Sequence, residues 1–148
     1  MTTGQAGRRR SRQVALQVLF AFDLGGRKDR GGQGDAEVAF ETFADHFELP
    51  PGARAFAKEL VSGVIVHRDE IDVRISASAR NWRLERMATV DRNVLRLATF
   101  ELVHLGTPAQ VAIDEAVELA RQFGGDPSPG FVNGVLDAVA MNLAEVAS

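Results

Sequence analysis

Apolar residues recur along this chain at intervals of three and four, the spacing that places them on one side of an α-helix. Val14, Leu16, Val18, Leu19, Phe20, Phe22 and Leu24 form a run that must be buried. They predict a first helix over residues 11–24, stopped by Gly25-Gly26. Residues 25–34 are rich in glycine and charge and read as a mobile loop. Ala36, Ala39, Phe40, Phe43 and Phe47 make the stripe of a second helix, which Pro50-Pro51-Gly52 breaks. A third begins near Ala53, with Phe56, Ala57, Leu60, Val61, Val64 and Ile65 in register. Its stripe runs on through Ile71 and Ile75, either as the same helix or after a bend near His67.

Residues 81–87 read as a connection. Val90, Val94, Leu97, Ala98 and Leu102 then predict a helix that ends at Gly106, with Pro108 barring continuation. Ala116, Val117, Ala120 and Phe123 face inward on a helix over residues 112–123, terminated by Gly124-Gly125. Ser128 is the expected N-cap of the last helix and Pro129 its first position, with Val132, Val135, Leu136, Val139 and Leu143 as the stripe. No segment alternates with a period of two between turns. The pattern predicts an all-α protein, a compact bundle of six or seven helices forming one domain over residues 1–148, without repeats.

Charge changes the picture at one end. Arg8, Arg9, Arg10 and Arg12 lie within five positions, and no acidic residue precedes Asp23. The chain has 17 Lys+Arg against 20 Asp+Glu; without these four arginines the balance is 13 against 20, a net of −7. An acidic body thus carries a cationic start, which neutralises phosphates or another polyanion, or else is a solvated tail. The basic residues lead straight into the first apolar run, which favours the former. Hydrophobic residues make up 45% of the chain and charged residues 25%, the balance of an ordinary soluble globular protein. With no cysteine, disulfides, thiolate nucleophiles and Cys-based metal sites are excluded, and a cytoplasmic location fits. No apolar run approaches the ~20 residues of a membrane span. Gln17 and Asp23 interrupt the first apolar stretch and no small-residue cleavage site follows, so it is not expected to be a signal peptide.

Catalytic constellations are weak. His46, His67 and His104 each fall near a helix end, none with a partner at metal-ligand spacing, so no metal site is expected. Asp114, Glu115 and Glu118 complement a helix dipole rather than form an acid/base pair. The glycines around position 30 lack the Gly-Lys-Ser/Thr ending of a phosphate loop. Neither an enzyme nor a cofactor is indicated. Binding features are better. Trp82 stands beside Arg83 in a connection, either to stack on a base or to plug the core. Arg92 and Arg96 share a helix face that Asp91 starts. Phe131 near the start of the last helix is either core or a platform for an unpaired base. Charge with scattered aromatics points to single-stranded nucleic acid rather than duplex.

Long stretches of the chain resemble the NusB family of transcription antitermination proteins. They are Val90-Asp91-Arg92-Asn93-Val94-Leu95-Arg96-Leu97-Ala98-Thr99-Phe100-Glu101-Leu102, then Val111-Ala112-Ile113-Asp114-Glu115-Ala116-Val117-Glu118-Leu119-Ala120. Phe123-Gly124 and Phe131-Val132-Asn133-Gly134-Val135-Leu136-Asp137 follow in order, and Arg8-Arg9-Arg10-Ser11-Arg12 opens the same pattern. The resemblance implies two small helical subdomains. It also implies binding to the boxA element of nascent RNA, notably ribosomal RNA leaders. The implied partner is NusE, a small-subunit ribosomal protein, within an antitermination complex on RNA polymerase. By position, Arg8, Arg9, Arg10, Arg12, Phe20 and Phe131 would belong to the RNA surface, and Asp91 to the NusE contact. Two positions depart from the pattern: Phe20 lacks a tyrosine's hydroxyl, and Pro127 and Pro129-Gly130 replace residues that are commonly more polar. The family leaves both monomer and homodimer open. A second reading is a protein-interaction module that binds NusE with little RNA affinity of its own. A third, an RNA methyltransferase of the kind fused to the same helical domain, lacks its cysteine nucleophile and cofactor loop.

Overall fold

The computed structural model describes residues 5–24 and 33–147. Among them are seven α-helices and no strand. The chain divides into two compact units, Met1–Arg68 and Asp69–Ser148.

The first unit contains α1 (Gln5–Leu24), α2 (Gln33–Ala44) and α3 (Ala53–Val66), each packed on the other two. Val14, Val18 and Leu19 of α1, Phe40 of α2, and Leu60, Val61 and Val64 of α3 are buried, as their spacing predicts. Fully burying such side chains contributes ~1.5–3 kcal/mol each. The buried Ser11 hydroxyl sits 2.7 Å from Ala53 O and 2.9 Å from Gly7 O, joining α1 to the first residue of α3. Gly52 precedes α3 with φ of 84°, a conformation that costs other residues strain.

Several boundaries differ from the sequence reading. The first helix starts at Gln5, so Arg8, Arg9 and Arg10 lie inside it rather than before it. Arginine is a good helix former, and the apolar stripe alone could not reveal helix upstream of Val14. The second helix ends at Ala44, and Phe47 sits in the following turn with its N–H on Ala44 O. The loop expected over residues 25–34 lies outside the described residues up to 32, and Gln33 already begins α2.

The stripe that runs past Ile65 is broken at His67. Its N–H bonds Gly63 O and ends α3, and a separate helix α4 (Arg68–Ser78) follows. The second unit also holds α5 (Thr89–Phe100), α6 (Ala109–Phe123) and α7 (Ser128–Ala147). Helix α5 packs on α6 and α7, which pack on each other. Val94, Leu95, Leu97, Ala112, Ala116, Val132 and Leu136 are buried. A one-turn 3₁₀ helix, Leu84–Arg86, interrupts the connection before α5.

After α5 the backbone widens into a π-helical turn, Glu101–Leu105, ended by Gly106 with φ of 65°. The buried Glu101 holds this end together: its carbonyl accepts the N–H of Gly106 and of Thr107, and its carboxylate accepts the Thr107 hydroxyl at 3.2 Å. Gly124 is required by space, since a Cβ there would stand 2.6 Å from Ser128 Oγ and 2.8 Å from Ala120 O. Ser128 does not cap α7 as expected. It is the first residue of the helix, and its Oγ accepts the Gly125 N–H at 3.1 Å, closing the turn behind it. No described helix is long and apolar enough to cross a membrane.

Candidate nucleic-acid interface

In the first unit the candidate residues sit on the opening turns of α1. A helix N-terminus carries the positive end of the backbone dipole, which acids offset and cations oppose. Here Arg8, Arg9, Arg10 and Arg12 follow one another, with no acid in the first turn. The arrangement works against the helix and in favour of an anion placed beside it.

The helical period sorts the four arginines into two groups. Arg8 and Arg12 are one turn apart and both address Phe56 of α3, with guanidinium carbons 4.3 Å and 5.6 Å from the ring centroid. Arg8 remains exposed, whereas Arg12 is 4% exposed. Arg12 therefore lies beneath the surface rather than on it.

Arg9 and Arg10 lie on the other side of α1. Arg9, Gln13 and Phe20 fall within about 40° around the axis at 3.6 residues per turn, with Arg10 and Gln17 beside them. All five are exposed or half-buried. Arg10 donates to Gln13 Oε1 and to Glu48 O, each at 3.3 Å, and its guanidinium carbon lies 6.0 Å from the Phe47 ring centroid. This strip joins cations, amides and one aromatic ring, the chemistry that meets a single strand's phosphates and bases. Gln13 and Gln17 were not singled out by the sequence reading, although their spacing from Arg9 marks the face.

In the second unit Trp82 is 60% exposed, so it is not a core plug. Its ring meets the half-buried Phe131 edge-on, with centroids 5.3 Å apart and planes at 74°. Phe131 is the fourth residue of α7, not the third, and its N–H bonds Pro127 O. Arg83 is exposed next to Trp82, and so are Arg80 and Arg86. Their spacing of three through the connection was a signal the sequence reading passed over.

The remaining two arginines do structural work. Arg92 donates from Nη1 to Leu84 O and Met87 O, both at 3.3 Å, and so ties down the connection that carries Trp82. Arg96 forms a two-pronged ion pair with Asp72 of α4, at 2.8 Å and 3.0 Å. Its side chain is only 11% exposed, and nothing in this placement favours an RNA contact. Asp91 stands in the first turn of α5, where its charge suits the dipole. Its Oδ1 is shielded and finds no hydrogen-bond partner among the described residues. Of the histidines, His67 caps α3, and His104 in the π-turn lies 3.1 Å from Glu70 and stacks on Phe100.

Comparison with known proteins places this geometry. The NusB family model matches residues 9–141. The transcription antitermination protein NusB of Solibacter usitatus is 47% identical over 142 residues, covering 95% of this chain and 92% of that one. The crystal structure of T. maritima NusB superposes with a TM-score of 0.77 at 35% identity, covering 95% and 93% of the two chains. A structure of the antitermination factors NusB and NusE in complex with dsRNA contains a chain that superposes with a TM-score of 0.78. That chain is 28% identical, and the match covers 94% of this chain and 99% of that one.

Proposed function

The chain belongs to the NusB family, and from that premise we propose that it is a transcription antitermination factor that binds the boxA element of nascent RNA, notably ribosomal RNA leaders. It acts together with NusE, the small-subunit ribosomal protein, within an antitermination complex on RNA polymerase in the cytoplasm. It is a binding protein rather than an enzyme. The relative solved with NusE and dsRNA supports both kinds of partner.

One observation carries the RNA reading: four arginines are concentrated on the opening turns of α1, whose first turn holds no acid. A phosphate backbone suits this concentration of positive charge, while Phe20 and Phe131 supply rings for bases. Arg9 and Arg10 make the direct contacts, Arg8 contributes from its place over Phe56, and Arg12 supports from below. Asp91, half-exposed in the first turn of α5, belongs to the NusE contact.

The test is titration of boxA RNA, with and without NusE, against the Arg9→Ala/Arg10→Ala double variant. Affinity should fall, and the slope of log affinity against log salt should shrink by up to ~0.7 for each phosphate no longer neutralised. Unchanged affinity and slope in a folded variant would remove the RNA role from α1. The burial of Arg12 and the commitment of Arg96 to Asp72 favour the second reading, a NusE-binding module with little RNA affinity of its own. NusE binding by a wild-type chain that leaves RNA untouched, alone or in complex, would select it.

A further inference from the structure

We infer that Trp82 is a stacking platform for one unpaired RNA base, a second RNA contact in addition to the α1 strip; this rests on the RNA-binding reading above. The indole is the largest aromatic side chain in the sequence, and the residue is 60% exposed. Tryptophan is seldom left so exposed, because burying it removes a large apolar area from water. Nor is it a loose side chain. Phe131 holds it edge-on at 5.3 Å, and its backbone N–H closes a turn on Ala79 O at 3.0 Å. Arg92 fixes the same connection at Leu84 O and Met87 O. A ring set in place before the ligand arrives loses little freedom on binding.

The surroundings identify the ligand's chemistry. Arg80, Arg83 and Arg86 are exposed along the connection against a single acid, Glu85. An open aromatic face with cations beside it matches a base together with its flanking phosphates. A duplex keeps its base faces covered by stacking, so the fitting ligand is single-stranded RNA. An acidic protein surface would answer the arginines but would leave the indole face unmatched.

Trp82 is the only tryptophan and the chain has no tyrosine, so protein fluorescence reports on this one position. The experiment titrates the full chain, with NusE present, with a single-stranded boxA RNA. It follows indole emission, with the same titration of Trp82→Phe and NusE subtracted, and, separately, the anisotropy of labelled RNA. Stacking should quench the emission with the same midpoint as the anisotropy change. Trp82→Ala should weaken RNA binding roughly five- to 150-fold, the range for one base on an aromatic ring. Trp82→Phe, which keeps a ring, should recover most of it. Because the side chain is exposed, circular dichroism should show both variants folded.

Normal RNA affinity in Trp82→Ala, while Arg9→Ala/Arg10→Ala loses it, would overturn the platform and leave the RNA reading standing. Loss of NusE affinity with RNA affinity intact would make Trp82 a protein contact instead. A wild-type chain that binds no RNA under any of these conditions would overturn both.

Discussion

Replacing Arg96 by alanine should destabilise the second unit without weakening RNA binding. The guanidinium meets both carboxylate oxygens of Asp72, at 2.8 Å and 3.0 Å, with the two side chains 11% and 23% exposed. An exposed ion pair contributes about 0–1 kcal/mol. Removing one member of a fully buried pair costs about 3–5 kcal/mol, because the other charge is left without its partner. This pair is closer to the buried limit, so Arg96→Ala should cost about 2–3 kcal/mol. For a chain of this size that corresponds to a melting point lower by about 5–10 °C. Asp72→Asn keeps the shape and removes the charge, and a double-mutant cycle with Arg96→Ala isolates the pairing from the change in packing. Differential scanning calorimetry of the four proteins gives the coupling, and RNA titration of the same set gives the functional arm. The reasoning fails if the cycle shows no coupling, or if Arg96→Ala melts normally and binds RNA poorly. The latter result would make Arg96 a ligand contact after all.

Two further substitutions separate structural from binding roles. Asp91→Lys should weaken NusE binding in calorimetric titration well beyond the ~0.3–1 kcal/mol of helix stability that its charge contributes at the start of α5; unchanged affinity with a slightly lower melting point would leave Asp91 only a dipole role. Phe131→Ala should cost ~1–3 kcal/mol of RNA binding and less stability than the ~3–5 kcal/mol of a fully buried phenylalanine, because its ring is half-buried against Trp82; early melting with normal RNA affinity would assign the ring to the core.

The helices were legible because their stops are local. Pro50-Pro51-Gly52, Gly106 with Pro108, and Gly124 each end an apolar stripe through backbone properties that belong to the residue itself. The break at His67 was visible only as one of two alternatives, since no glycine or proline marks it. The π-helical turn was not legible, because it depends on where the carboxylate and carbonyl of Glu101 find Thr107 and Gly106. Among the candidate contacts, the basic cluster could be read from spacing alone. Its division could not. Arg12 is buried with Phe56 of a different helix near its guanidinium, and Arg96 is occupied because α4 brings Asp72 to it. A charged side chain advertises its charge in the sequence, while the partner that claims it is a property of the tertiary fold. Trp82 shows the reverse case, an aromatic residue whose chemistry suggests burial and whose surroundings hold it open.

Phe56 gives the first unit an unusual mutational grammar. The ring is 8% exposed and belongs to the hydrophobic interior, yet the guanidinium groups of Arg8 and Arg12 both lie against it. A change at this position alters the packing of α1 on α3 and relocates two positive charges in the same stroke. Leucine would keep most of the apolar volume and forfeit the π face, so it should cost some packing stability and remove the ring that the two guanidinium groups lie against. A substitution here therefore acts in two places at once, on the packing of α1 against α3 and on the two guanidinium groups over the ring.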